Sequence, residues 1–240
     1  MFPLFFAAAV ALAPLRGAWM ETVTLDDGTE ASVTLPLGAT EPRPIVVGVH
    51  GSGDRPEWSC GEWRGVVDSY AFVVCPHGTP SGNAFVWKSS DQVEKRVMAA
   101  LAAARAKYGL YVMDGPAIYA GFSQGAHMAA AVVKRHPDVF TLIALDEGGY
   151  WQTGGDFAAT FARGGGKRAL LMCSTPGCQT NFTQSQQLLQ KSGVDVRVAD
   201  LGPFGHTINN DVIAAIKPQW KWLVRDDPRW APWLRTLEPQ

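Results

Sequence analysis

A serine stands between two glycines in Gly121-Phe122-Ser123-Gln124-Gly125, directly after the apolar run Ala117–Ala120 and directly before a helical stretch. At a strand-to-helix junction such a serine can occupy a strained turn that lifts its Oγ clear of the backbone. A side chain at either glycine position would collide with neighbouring backbone. The helix behind Ser123 turns N–H groups and the positive end of its dipole towards any oxyanion that develops there. A second glycine-rich turn, His50-Gly51-Ser52-Gly53-Asp54, closes the apolar run Ile45–Val49. It can aim a backbone N–H at the same point as the N–H of Gln124, giving a two-donor oxyanion hole. Ser52 is the expected second donor, with Gly51 and Gly53 as alternatives.

Nucleophilic chemistry at Ser123 needs a base. Among the five histidines, His206 lies in Gly202-Pro203-Phe204-Gly205-His206, after the last β-rich run and before a helix. A loop there can bring an imidazole over the serine. His77 follows a strand and is the alternative. His127 sits one helical turn after Ser123 and is expected to face packing, His136 to cap a helix end, and His50 to be a hydrogen-bonded structural group.

Together HGSGD (His50–Asp54) and GFSQG (Gly121–Gly125) resemble the α/β-hydrolases, and within them the carboxylesterase and acyl-thioesterase (dienelactone-hydrolase-like) branch. The resemblance extends in element order over most of residues 40–225, its specific matches being the two motifs and the final histidine. It implies a mostly parallel central sheet with helices on both faces, a Ser–acid–His triad in that chain order, and no cofactor or metal. It also implies cleavage of carboxylic esters or thioesters through a covalent acyl-enzyme. The acid departs from the usual pattern. It is commonly carried after the strand corresponding to Ala169–Met172, yet residues 168–192 contain no Asp or Glu. Pancreatic lipases and some other members carry it one strand earlier. Here Thr141–Leu145 runs into Asp146-Glu147-Gly148-Gly149, so Asp146 is the expected acid, with Glu147 and Asp200 as alternatives.

These groups must be positioned by alternating strands and helices. Glu21–Leu25 and Ala31–Leu35 read as a hairpin around Asp26-Asp27-Gly28. Ile45–Val49, Ala71–Cys75, Ala117–Ala120, Thr141–Leu145, Ala169–Met172 and Val194–Ala199 read as strands buried on both faces. Asp91–Lys107, Gln124–Arg135, Gln184–Gln190 and Asp211–Val224 read as helices between them. With 240 residues and no repeat or long linker, the expectation is one α/β domain over residues 19–240.

A formal net charge of −1 gives no electrostatic reason for nucleic acid as a partner. The uncharged segment Phe2–Leu15 is too short to cross a bilayer and fits the apolar region of a secretory signal peptide spanning residues 1–18. Four cysteines, paired locally as Cys60–Cys75 and Cys173–Cys178, suit an oxidising compartment. The expectation is a secreted or periplasmic enzyme on small-molecule or polymeric esters, with no membrane span in the mature chain. Two other readings stay open: a polyester depolymerase or feruloyl-type esterase, and a non-catalytic binding protein on the same scaffold. Phe122, Trp87, Tyr150 and Trp151 could line an acyl or aryl pocket or simply pack. The tail tryptophans Trp220, Trp222, Trp230 and Trp233 are expected to cover one face of the sheet, with a polymer-gripping surface as the alternative.

Overall fold

The computed structural model describes residues 12–150 and 155–237. An eight-stranded sheet forms its centre, in the order β1-β2-β4-β3-β7-β8-β9-β10. The strands are β1 (Met20–Thr24), β2 (Glu30–Thr34), β3 (Ile45–Val49), β4 (Phe72–Pro76), β7 (Ala117–Phe122), β8 (Phe140–Asp146), β9 (Arg168–Cys173) and β10 (Asp195–Asp200). β2 runs antiparallel to both of its neighbours, and from β4 to β10 every pairing is parallel. The six parallel strands are Val-, Ile-, Leu- and Ala-rich because helices cover both faces.

Helices α2 (Ser90–Tyr108), α3 (Gln124–Arg135), α4 (Gly155–Arg163) and α5 (Cys178–Lys191) pack on one face. On the other lie α1 (Pro56–Val66), α6 (Asn210–Val224) and the tail helix α7 (Ala231–Thr236). The tail tryptophans belong to this second layer. Trp63, Trp220, Trp230 and Trp233 are almost wholly buried, their rings successive neighbours at 5.9, 5.9 and 5.7 Å. The tail therefore has no free aromatic stripe with which to hold a polymer.

Chain order along the sheet reverses at β3, whose neighbours are β4 on one side and β7 on the other. Connections leaving β3 and β7 diverge to opposite faces, which opens a crevice beyond the carboxyl ends of those strands. Both glycine motifs emerge there. Their close approach explains the glycines: a Cβ on Gly125 would lie 2.2 Å from the Val49 carbonyl oxygen, and one on Gly121 2.8 Å from the Ala126 nitrogen.

Two disulfides join Cys60 in α1 to Cys75 in β4, and Cys173 at the end of β9 to Cys178 at the start of α5. These are the local pairings. Some elements exceed the sequence reading. A small hairpin of β5 (Thr79–Ser81) and β6 (Ala84–Val86) follows β4, and α1, α4 and α7 are additional helices. Helix α5 starts at Cys178, well before Gln184. Of the apolar N-terminal segment, Leu12 and Leu15 donate backbone N–H groups to Thr40 and Ala39 at 3.1 and 2.9 Å. Its earlier residues, like Trp151, lie outside the described residues.

Gly125→Ala is expected to cost about 1–3 kcal/mol, because the obstructing atom is backbone and cannot rotate away. That corresponds to a Tm lower by roughly 2–12 °C for a domain of this size. Calorimetry of the variant checks it; an unchanged Tm would contradict the close approach of α3 to β3.

Candidate active site

Ser123 has φ 49° and ψ −113°, a backbone conformation that non-glycine residues rarely adopt. It persists because both sides are tied. The Ser123 N–H donates to the Asp146 carbonyl at 2.9 Å, and the Ser123 carbonyl accepts from His127 N–H at 3.0 Å in the first turn of α3. The strained turn presents Oγ to His206, whose Nε2 lies 2.8 Å away. His206 comes from the β10–α6 loop, and its other ring nitrogen, Nδ1, lies 3.4 Å from Oε2 of Glu147. With the Nδ1 proton facing that carboxylate, Nε2 carries the lone pair that accepts the serine hydroxyl.

The carboxylate beside the imidazole is thus that of Glu147, where the sequence reading expects Asp146. The reason is strand geometry. Alternation along β8 puts the Asp146 side chain on the same face as Leu142 and Ala144, beneath α1 and α6. It is fully buried, and neither carboxylate oxygen has a hydrogen-bond partner among the described residues. Burial, then the nearby charges of Glu147 and Glu62, push its pKa well above the ordinary range. Its carboxyl makes no hydrogen bond to the imidazole. Glu147 follows the last strand residue with φ 54°, which swings its side chain off the sheet and towards His206. Burial pushes its carboxyl up, but hydrogen bonds from the Ser174 N–H and from the Thr175 hydroxyl and N–H outweigh this and hold it below the usual glutamate value. Asp200, the other alternative, accepts from Gly202 N–H at 2.9 Å in its own turn.

The other histidines are engaged elsewhere. His50 is buried, donating from Nδ1 to the Gly51 carbonyl (2.7 Å) and accepting at Nε2 from Gly78 N–H (3.1 Å). Burial lowers its pKa to about 4, so it stays neutral. His136 pairs with Glu94 at 2.8 Å, and His127 accepts from Gly149 N–H at 3.3 Å. His77 Nε2 meets Ser32 Oγ at 2.9 Å, with Glu30 3.8 Å from its Nδ1. That trio repeats the residue types of the site, yet Ser32 is 1% exposed on the interior of β2 and offers substrate no approach.

In the glycine-rich loop after β3, two of the three candidate donors have partners of their own. The Gly53 N–H goes to the Phe85 carbonyl at 2.9 Å, and the Gly51 N–H addresses the Asp54 carboxylate. His50 fixes the Gly51 carbonyl; in a trans peptide the Ser52 N–H must point the opposite way. Gln124 opens α3, so its N–H is one of the helix's orphan donors. Trp87, buried and stacked on His50, donates its indole N–H to the His50 carbonyl at 3.0 Å. Phe122 lies against His206, ring centroids 5.1 Å apart. Beside the histidine, a cavity of about 390 Å³ is lined by Glu147, Tyr150, Thr175, Cys178 and Asn181.

No family model matches the chain, and no curated protein sequence does. Solved structures do. An S-formylglutathione hydrolase from Agrobacterium tumefaciens aligns with TM-score 0.65 and 14% identity, over 90% of this chain and 98% of that one. A carboxylesterase from Mesorhizobium loti aligns with TM-score 0.57 and 22% identity, over 83% and 97%. A putative dienelactone hydrolase from Klebsiella pneumoniae subsp. pneumoniae aligns with TM-score 0.63 and 12% identity, over 86% and 98%. The architecture is the α/β-hydrolase fold.

The burial of Asp146 has a consequence for stability. Its raised native pKa means the folded chain holds a proton that the unfolded chain releases, so its contribution is complete at about pH 4 and is lost as pH rises. Asp146→Asn, neutral throughout, is expected to gain Tm over the unsubstituted protein progressively between about pH 4 and 8. Melting curves across that range test this; a constant difference would mean Asp146 does not take up the proton.

Proposed function

We propose that the protein is a serine hydrolase that cleaves carboxylic esters or thioesters through a covalent acyl-enzyme. The observation that carries this reading is the 2.8 Å contact between Ser123 Oγ and His206 Nε2, at the carboxyl end of the sheet. Ser123 Oγ attacks the carbonyl carbon while His206 accepts its proton; Glu147 holds the imidazole in the required tautomer and stabilises the imidazolium. The Ser52 and Gln124 N–H groups receive the oxyanion of the tetrahedral intermediate, each donor worth about 3 kcal/mol to the transition state. His206 then returns the proton to the leaving alcohol or thiol. A water, deprotonated by the same imidazole, releases the acid. The fold shared with esterases and hydrolases supports a hydrolase in general. The reaction as written calls on no metal or cofactor.

Glu147 replaces Asp146 in this mechanism. A carboxylate in contact with His206 also counts against a non-catalytic binding protein. A polymeric ester remains a second reading, favoured by the openness of the site. The His206 side chain is 54% exposed, and Trp58, on the helix that follows the glycine-rich loop, is 61% exposed. Export to the periplasm or outside the cell is part of the proposal, supported by the two disulfides. Among the described residues no helix is long and apolar enough to cross a membrane.

Ser123→Ala is expected to abolish labelling by a fluorophosphonate probe and turnover of nitrophenyl esters, while Ser32→Ala leaves both intact. Persistent labelling of the Ser123→Ala protein would refute the assignment. Glu147→Gln is expected to lower kcat by roughly 10³–10⁴-fold, and Asp146→Asn to leave it within about threefold because its side chain faces away. Steady-state kinetics of the two variants decides between the carboxylates, and the reverse order would restore Asp146 as the acid.

A further inference from the structure

The loop after β9 carries no carboxylate of its own, yet it is built around one. Cys173 and Cys178 close a ring containing Ser174, Thr175, Pro176 and Gly177. Pro176 fixes one φ and Gly177 supplies a left-handed turn at φ 79°, immediately before α5 begins. The N–H groups of Ser174 and Thr175 converge on Oε1 of Glu147 at 2.5 and 2.8 Å. The Thr175 hydroxyl donates to Oε2 at 2.8 Å, and that is the oxygen facing His206. The same ring reaches the histidine's loop. Ser174 Oγ lies 3.1 Å from the Gly205 carbonyl, and the Gly205 N–H lies 3.4 Å from the Ser174 carbonyl. Gly205 directly precedes His206.

We infer that the disulfide-closed ring Cys173–Cys178 is a positioning device for the Glu147–His206 pair, with Thr175 and Ser174 as its positioning residues. The inference rests on the reading of Glu147 as the acid. Two needs meet in this ring. Glu147 sits at positive φ, a strained state that persists only where its surroundings over-determine it. It is also buried, and a buried carboxylate stays ionised only when donors replace its water. Two adjacent N–H groups and a hydroxyl supply both. Those donors converge only while residues 174 and 175 keep one conformation, and the covalent ring holds four residues to it. Tyr150, whose hydroxyl lies 2.9 Å from Cys178 Sγ, packs on its outer side.

The test compares Thr175→Val, Thr175→Ser and the double variant Cys173→Ala/Cys178→Ala in the full chain, with nitrophenyl ester turnover followed across pH. Thr175→Val removes only the hydroxyl on Oε2. It is expected to lower kcat about tenfold with KM within about twofold, because the loss is one of orientation. The acid limb of the kcat profile moves up by at least about half a pH unit, since a carboxylate that loses a donor attracts the imidazolium proton more strongly. Thr175→Ser restores both, and the double cysteine variant lowers kcat at least as far as Thr175→Val. Thr175→Val with unchanged kcat and an unmoved limb would overturn the inference, as would a fall in Tm alone. Should the cysteine variant fail to fold, the Thr175 pair still decides. Fluorophosphonate labelling keeps the two levels apart: a Ser123→Ala protein that is still labelled and still turns over ester sinks Ser123 as the nucleophile, whereas an inert one beside an unaffected Thr175→Val sinks the ring alone.

Discussion

The backbone at Ser123, held at φ 49°, is the constraint on which the remaining geometry of the site depends. Left alone, a serine would relax from this conformation, gaining on the order of 1–3 kcal/mol. Relaxation is blocked from three directions. β7 ends beside β8 with Phe122 paired to Asp146, which brings the Asp146 carbonyl to the Ser123 N–H. α3 starts at once and takes the Ser123 carbonyl into its first turn. β3 crowds Gly125 from behind, leaving no space for a side chain near the Val49 carbonyl. The register of three adjacent parallel strands is therefore read out at one hydroxyl. A slip of any of them would let the turn unwind.

The consecutive acids Asp146 and Glu147 show how one step of backbone separates two electrostatic fates. Asp146 is the last residue of β8, so its carboxyl enters the interior, where burial pushes its pKa well above the ordinary range. One positive φ later, Glu147 leaves the sheet and reaches a loop rich in N–H and O–H groups, where its charge is stabilised. Each environment supports the other. Were Asp146 ionised as well, two like charges on neighbouring residues would raise both pKa values and weaken the carboxylate that faces His206.

Much of this was legible in the sequence, and the rest was not, for definable reasons. The two glycine motifs could be placed because each glycine reports a backbone collision, and collisions are local to a few residues. The apolar runs marked the six parallel strands of the main sheet, since a strand buried on both faces cannot hide its composition, and the turn Asp26-Asp27-Gly28 marked the hairpin of the other two. His206 was legible from its place after the last strand. Choosing between Asp146 and Glu147 demanded the φ of a single glutamate at a strand end, and no residue type announces a left-handed glutamate. Gly148 and Gly149 hinted at a tight exit, and Gly148 indeed lies against the Ser123 carbonyl, where a Cβ would come within 2.5 Å. The β5–β6 hairpin escaped because its strands are three residues long and one contains Pro80. The start of α5 escaped because its cap is a disulfide-closed turn, not a polar side chain.

That overlooked hairpin leads into Trp87, and through it the two glycine motifs are joined. Trp87 exchanges two hydrogen bonds with the Gln124 side chain: its N–H donates to Oε1, and its carbonyl accepts from Nε2, both at 2.9 Å. Its indole holds the His50 carbonyl, and its ring lies 4.7 Å from the imidazole that fixes the Gly51 peptide. β5 and β6 contribute too, since the Phe85 carbonyl accepts from Gly53 N–H. The Ser52 and Gln124 N–H groups thus belong to loops on opposite sides of the crevice but are referred to one rigid aromatic. Electrostatic stabilisation of an oxyanion depends on donors that need no rearrangement when charge develops. In the proposed mechanism, a single tryptophan spanning the β3 loop and the start of α3 would supply that rigidity, with a neutral histidine locked beneath it.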